Sequence, residues 1–191
     1  MKLILASQSP RRRELLGLFR LPFTVRAADI DETMDPTLPP AQEVARLSLE
    51  KARAVERAEE DVVIAADTIV VLGDRLLGKP KNEAQAEEML TSLSGRAHQV
   101  MTGVTVLRGD RAITATEITD IHFRELSSRE IRRYIATGEP MDKAGSYGIQ
   151  GSAALFVEKL QGDYYNVVGL PVCRLLLMLR ELAPDIMEDN A

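Results

Sequence analysis

Apolar residues along the chain fall into short runs broken by Gly and Pro, and their spacing separates strands from helices. Residues 2–6 are mostly apolar and bounded by Ser and Pro, which predicts a buried strand, and Pro10 suits the first turn of a helix reaching to about residue 19. Residues 23–27 read as a second strand, followed by an acidic loop over 29–36; Pro39 and Pro40 then lead into a helix from about 41 to 59. Residues 61–72 are apolar apart from Asp67 and Thr68, and Gly73-Asp74 turns them into 75–77, the pattern of strand segments and a hairpin. Asn82 with Gln85 resembles a capping box and Gly95 a stop, with a helix between them. Residues 100–107 and 112–123 flank Arg108-Gly109-Asp110-Arg111 as a long hairpin, whose Arg-Gly-Asp reads as a turn. Ser127 with Glu130 caps a helix that Gly138-Glu139-Pro140 ends. Residues 153–160 and 164–168 pattern as another hairpin, and Pro171 starts a last apolar helix, with the tail from about 184 expected to fray. Helices alternating with hairpins predict a mixed α/β sheet flanked by helices, rather than regular βαβ repeats.

Composition narrows the class. With 191 residues, 45% hydrophobic and 28% charged, the chain can bury a core as a single domain, 1–191, with room for two lobes; disordered and fibrous classes are excluded. Lys+Arg 24 against Asp+Glu 29 gives a net charge of -5, which disfavours a coat for a nucleic acid polymer, so any phosphate site must be a local basic island. Aromatics at 4% and no Trp leave little for a base-stacking platform. The lone Cys173, in the apolar run 172–179, reads as a structural core thiol and fits a reducing, cytoplasmic setting. The N-terminal apolar stretch is too short for a signal peptide, and no run approaches the ~18 residues of a membrane span, so a soluble, intracellular protein with no membrane partner is expected.

Three anomalies carry the candidate chemistry. Ser7-Gln8-Ser9-Pro10-Arg11-Arg12-Arg13 crowds arginines onto a helix N-terminus that already carries partial positive charge, so an anion belongs there; hydroxyls, helix N–H groups and guanidinium forks all suit phosphate. The Gly-Lys-Ser/Thr of a Walker loop is missing. Lys51 shares a helix face with Val44, Leu47, Ser48 and Val55, which puts a lysine in a buried stripe; it either snorkels to the surface or points its ammonium into a cleft beside phosphate. Asp67 interrupts an apolar run, and a partly desolvated carboxylate near cations suits a general base or a metal ligand, the alternative being a strand-end turn. Asp29, Asp31, Glu32 and Asp35 offer further oxygens for Mg²⁺, or form a solvated loop. No Cys/His set exists for zinc, and His98 and His122 read as structural. Two loops dense in Gly and Lys, around Lys79 and over 142–151, are the remaining candidates; Gln150 there has both donor and acceptor atoms for a base edge.

Taken together, Ala6-Ser-Gln-Ser-Pro-Arg-Arg, Asp31-Glu32, Glu50-Lys51-Ala52, Ala66-Asp67-Thr68, Gly78-Lys79-Pro80, Leu93-Ser94-Gly95, Asp142-Lys143-Ala144-Gly145 and Gly169-Leu170-Pro171 resemble the Maf family of nucleotide pyrophosphatases over nearly the whole chain. The resemblance implies an elongated α/β fold with a central cleft, related to inosine-triphosphate pyrophosphatases. It also implies a Mg²⁺- or Mn²⁺-dependent cut between the α and β phosphates of a nucleoside triphosphate, and a homodimer. Tyr147-Gly148-Ile149-Gln150-Gly151 is similar to the branch acting on dTTP and UTP. Carried over by position, Asp67 is the proton acceptor, with Lys51 and Lys79 beside it as catalytic cations. Arg11, Thr68 and Gln150 set substrate choice, Ser7, Arg12 and Lys143 bind substrate, and Glu32 joins Asp67 at the metal. The role implied is removal of non-standard nucleotides, with a link to cell-division arrest. Two rivals stand beside it: a 7-methyl-GTP pyrophosphatase, and a non-catalytic nucleotide-binding regulator of septum formation.

Overall fold

In the computed structural model, which describes residues 1–35 and 37–188, the apolar triplet Leu3–Leu5 is β1 and is fully buried. Burial on both faces marks a strand inside a sheet with parallel neighbours. β1 runs parallel to β2 (Phe23–Val25) on one side and to β3 (Val62–Leu72) on the other, with Leu3 opposite both Phe23 and Val62. β4 (Arg75–Leu77) folds back antiparallel on β3 through Gly73, whose φ of +60° favours glycine. With β5 (Ala97–Arg108), β6 (Arg111–Phe123) and β7 (Val157–Gln161), the sheet has 7 strands in the order β2-β1-β3-β5-β6-β7, β4 pairing with β3 off this path. The helices are α1 (Pro10–Gly17), α2 (Pro40–Ala54), α3 (Glu83–Leu93), α4 (Ser128–Ile135), α5 (Tyr164–Val168), α6 (Val172–Leu182) and α7 (Pro184–Glu188). This is the mixed α/β sheet flanked by helices that the sequence pattern predicts.

The chain divides into two compact units, and the strands β3, β5 and β6 contribute residues to both. The first unit comprises residues 1–67, 102–117 and 169 onward; its core includes Ile4, Ala6, Ala52, Val55, Val63, Ala65 and Leu107. The second comprises 68–101 and 118–168 and is built round aromatic edges: Phe123 packs T-shaped on Tyr147 at 4.8 Å and on His98 at 4.9 Å, and Tyr134 on Phe156 at 5.2 Å. Local signals explain the starts of α1, α3 and α4. Ser9 caps α1 with Pro10 in its first turn, and Ser127 and Glu130 form a full capping box on α4. Asn82 caps α3, while the Gln85 side chain turns back to the Lys81 N–H instead of closing the box.

Several expectations need correction. α2 stops at Ala54, short of residue 59. Tyr164–Val168 is the short helix α5 and not a strand, because Asn166 points inward, donating to the Val100 carbonyl and to Thr119 Oγ1, and Asp163 caps the Tyr165 N–H. Residues 152–156 form a 3-10 turn before β7. Within the tail, residues 184–188 form α7, where Asp185 takes both Nη atoms of Arg108 at 2.7 and 2.8 Å and Ile186 is buried; 189–191 lie outside the described residues. Cys173 is exposed, since the buried stripe of α6 runs through Leu175, Met178, Leu179 and Leu182, out of phase with it. Among the described residues no helix is long and apolar enough to cross a membrane.

Candidate active site

In the first unit, β1 delivers Ser7 directly to the start of α1. Ser7 Oγ accepts the Ser9 N–H at 3.2 Å and the Arg12 Nη1–H at 3.3 Å, while Arg12 Nε donates to the Gly169 carbonyl at 2.8 Å. Arg12 is therefore folded back over the helix N-terminus, half-buried, while Arg13 points out to solvent. Burial lowers the Arg12 pKa below its usual value; the Asp67 and Glu32 carboxylates oppose this and the neighbouring Arg11 adds to it. A desolvated guanidinium held at a capped helix start has the donors and charge to accept a polyanion.

Lys51 does not snorkel. Its side chain is 8% exposed, and Nζ lies 2.6 Å from Asp67 Oδ1 and 2.9 Å from Glu32 Oε1. Asp67 sits in the interior of β3 rather than at a strand end, so its carboxylate is fixed by the sheet. α2 is held hard against β5 and β6. A Cβ on Gly103 would stand 2.1 Å from the Val44 carbonyl oxygen; Ser48 Oγ and Thr105 Oγ1 lie 2.8 Å apart, and Thr116 Oγ1 donates to the Ala41 carbonyl at 2.8 Å. The acidic loop is sorted by its own bonds. Asp31 and Asp35 accept from Thr33 and Thr37 and so make local turns, which holds both carboxyl pKa values below the usual range. Glu43, buried on α2 and ionised by its fork to Arg46, accepts the Asp35 N–H, and Arg46 donates to the Thr33 carbonyl. Glu32 is thus the carboxylate of this loop that reaches Lys51.

In the second unit, Thr68 follows Asp67 on β3 and is half-buried. Lys79 is exposed in the loop after β4, and that loop is stitched to the 143–151 loop by the Gly145 N–H donating to the Gly78 carbonyl at 3.1 Å. Gly145, at φ +68°, lies flush on Val70, where a Cβ would come within 2.8 Å. Lys143 turns its ammonium to the Glu139 carbonyl and to Asp142 Oδ1, each at 2.6 Å, which makes it a brace of the loop; Gln150 is exposed at the loop's tip.

Among the described residues no three His, Cys, Asp or Glu side chains gather as a metal cage. A hard divalent cation that is shared with substrate phosphates needs only one or two carboxylates, and Asp67 with Glu32, both converging on one ammonium, meets that need.

The sequence pattern described as Maf-like protein matches residues 2–182. The chain belongs to the Maf family. A dTTP/UTP pyrophosphatase of Bacillus cytotoxicus is 52% identical over 181 residues, covering 94% of this chain and 95% of its own. One from Bacillus cereus strain AH187 is 50% identical over 186 residues, 97% of each chain. The fold itself is shared with a HAM1 protein from Coxiella burnetii at a TM-score of 0.54 and 16% identity, over 95% of this chain and 99% of that one. Reading the Maf sequence residue by residue nonetheless passes over Gly169, whose carbonyl seats Arg12, the Glu43–Arg46 fork behind Glu32, and Glu139. Gly169 and Glu139 have a signal in the sequence only as Gly-Leu-Pro and Gly-Glu-Pro breakers; Glu43 has one as a charge at a buried helical phase.

Proposed function

We propose that this Maf-family chain hydrolyses dTTP and UTP to the nucleoside monophosphate and pyrophosphate. The observation that carries it is the Arg12, Lys51, Asp67 and Glu32 cluster, in which a buried ammonium joins two carboxylates beside a capped helix N-terminus and a desolvated guanidinium. The names of relatives at about half identity over nearly the full chain support the pyrimidine substrates over 7-methyl-GTP. The Lys51–Asp67 contact favours catalysis over a purely regulatory role.

Arg12 and Lys51 donate to triphosphate oxygens and take up the charge that moves onto the leaving pyrophosphate. Ser7 Oγ, oriented by the Ser9 N–H, adds a hydroxyl at the same helix start. Asp67 orients a water toward the α phosphorus and accepts its proton as the new P–O bond forms and the bond to the bridging oxygen breaks. No covalent intermediate is required. Glu32 and Asp67 would hold Mg²⁺ or Mn²⁺, which supplies charge neutralisation on the phosphates when bound. Lys79 is assigned to the phosphates as a further cation, and Arg11, Thr68 and Gln150 to base choice, with Lys143 acting through its loop. A homodimer in the cytoplasm, clearing non-standard nucleotides, completes the reading.

Asp67→Asn tests it: the variant should keep its circular dichroism spectrum and lose at least ~10² in kcat for UTP, read as pyrophosphate release with Mn²⁺ present. Near-normal turnover by a folded Asp67→Asn would remove Asp67 as the base.

A further inference from the structure

Glu139 organises a polar network within the second unit. It opens a 3-10 turn (Glu139–Asp142) directly after Gly138, whose φ is +74°. Its Oε1 accepts the Tyr134 hydroxyl at 3.0 Å, its Oε2 accepts the Ser152 N–H at 3.2 Å, and its carbonyl accepts Lys143 Nζ at 2.6 Å. Tyr134 Oη in turn accepts the Gly148 N–H at 3.1 Å. Burial raises the Tyr134 pKa, so the phenol stays a donor to Glu139.

The loop closes on this carboxylate because two of its residues lack a Cβ. On Gly151 a Cβ would lie 2.0 Å from Glu139 Oε1; on Gly148 it would lie 2.6 Å from Lys143 Cε. Tyr147 and Ile149 anchor the same segment inward, both buried. Gln150 stands between the two glycines with its backbone tethered at Gly148 on one side and Ser152 on the other, and its side chain is left outward.

We propose that Glu139 is a positioning residue for base selection: it fixes the 143–152 loop so that Gln150 meets the base at one register. This rests on the reading that Gln150 takes part in base choice, and the variants separate the two ideas. Substitutions Gln150→Ala, Glu139→Ala, Glu139→Gln and Gly151→Ala are compared for kcat/KM on UTP and CTP, with amide hydrogen exchange over the loop. Gln150→Ala and Glu139→Ala should each narrow the UTP preference about tenfold, the scale of one net hydrogen bond. In Glu139→Ala the Gly148 and Ser152 amides should also exchange faster. Glu139→Gln keeps the volume but can accept from only one of its two donors, so it falls between Glu139→Ala and wild type. Gly151→Ala should repeat the loss, and adding it to Glu139→Ala should narrow the ratio no further, the sign of a shared contact.

If Gln150→Ala narrows the ratio while the Glu139 variants keep it, the proposal is overturned and the Gln150 reading stands. If Glu139→Ala narrows the ratio while Gln150→Ala keeps it, the Gln150 reading falls and the proposal is overturned with it. If neither moves the ratio, both are overturned.

Discussion

The two units of this Maf protein hold their candidate site residues by different means. In the first, three of the candidate groups are placed by regular elements, Asp67 by the interior of β3, Lys51 by a helical phase on α2 and Arg12 by the first turn of α1, while Glu32 comes from the acidic loop. In the second, Gln150 is placed by a loop whose shape comes from one carboxylate, one phenol and missing Cβ atoms. Backbone ladders are shared among many residues, so a site on strands and helices tolerates loss of a side chain without losing its geometry. A loop tied by single side chains does not. Damage to the first unit should therefore appear as lost chemistry at a kept shape, and damage to the second as lost discrimination.

The largest effect expected breaks the first arrangement through charge rather than shape. Lys51→Met keeps most of the volume and removes the ammonium, leaving the Asp67 side chain, 11% exposed, without its 2.6 Å partner. Removing one partner of a buried pair typically costs about 3–5 kcal/mol. Urea unfolding should show a loss in that range. Adding Asp67→Asn to Lys51→Met should recover most of it, since a pair of neutral groups has no buried charge to desolvate. A double variant no more stable than Lys51→Met would mean that Lys51 contributes packing and not charge pairing.

How much of each region can be read in the sequence follows from the same contrast. Helical periodicity places Lys51 on an apolar face and strand patterning isolates Asp67 in an apolar run, so the residue types alone mark both positions. The distances that join them, and the selection of Glu32 over Asp31, depend on side-chain bonds of the acidic loop and are not written in any period. The Maf resemblance names Gln150, yet nothing in spacing marks Glu139, whose carboxylate partners Tyr134 and Ser152 lie 5 and 13 residues away in a segment without repeating pattern. The same reason explains α5: Tyr-Tyr-Asn-Val-Val has strand propensity, and a single inward Asn166 with buried partners overrides it.

A second test acts through pH and should weaken the second unit selectively. His98 on β5 is 3% exposed, its Nε2 lies 2.8 Å from Tyr147 Oη beneath the 143–152 loop, and its ring packs edge-on to Phe123. Burial lowers its pKa from 6.5 to about 4, the Arg96 backbone opposing and His122 adding slightly. Between those values the unfolded chain binds a proton that the folded one refuses, so stability is full above pH 6.5 and is lost as pH falls toward 4. The loss approaches about 3 kcal/mol at 1.36 kcal/mol per unit. Amide exchange at pH 5 should rise first over 97–101 and 144–149, before residues of β1 and α2. His98→Gln should flatten that part of the profile; an unchanged pH dependence in the variant would put the sensitivity elsewhere.

The smallest effect expected comes from a glycine that works in the first unit as Gly151 does in the second. Gly103 carries no unusual φ; its role is space, because the α2 backbone presses on it at Val44 and Ala45. A methyl group there would meet the Val44 carbonyl oxygen at 2.1 Å, and the hydroxyl bonds from Thr105 to Ser48 and from Thr116 to Ala41 resist a simple retreat of the helix. Overpacking of this kind costs about 1–3 kcal/mol, partly absorbed by a tilt of the helix. Two turns further along α2, that tilt reaches Lys51 and lengthens its contact with Asp67. Gly103→Ala should therefore lower kcat several-fold for UTP, dTTP and CTP alike, since the phosphate end is common to all of them. The base preference should stay as in wild type, the reverse of the expectation for Gly151→Ala. A Gly103→Ala variant that changes the UTP-to-CTP ratio, or that keeps full turnover after losing stability, would show that α2 does not set the Lys51 position, and the contrast between the two regions would no longer hold.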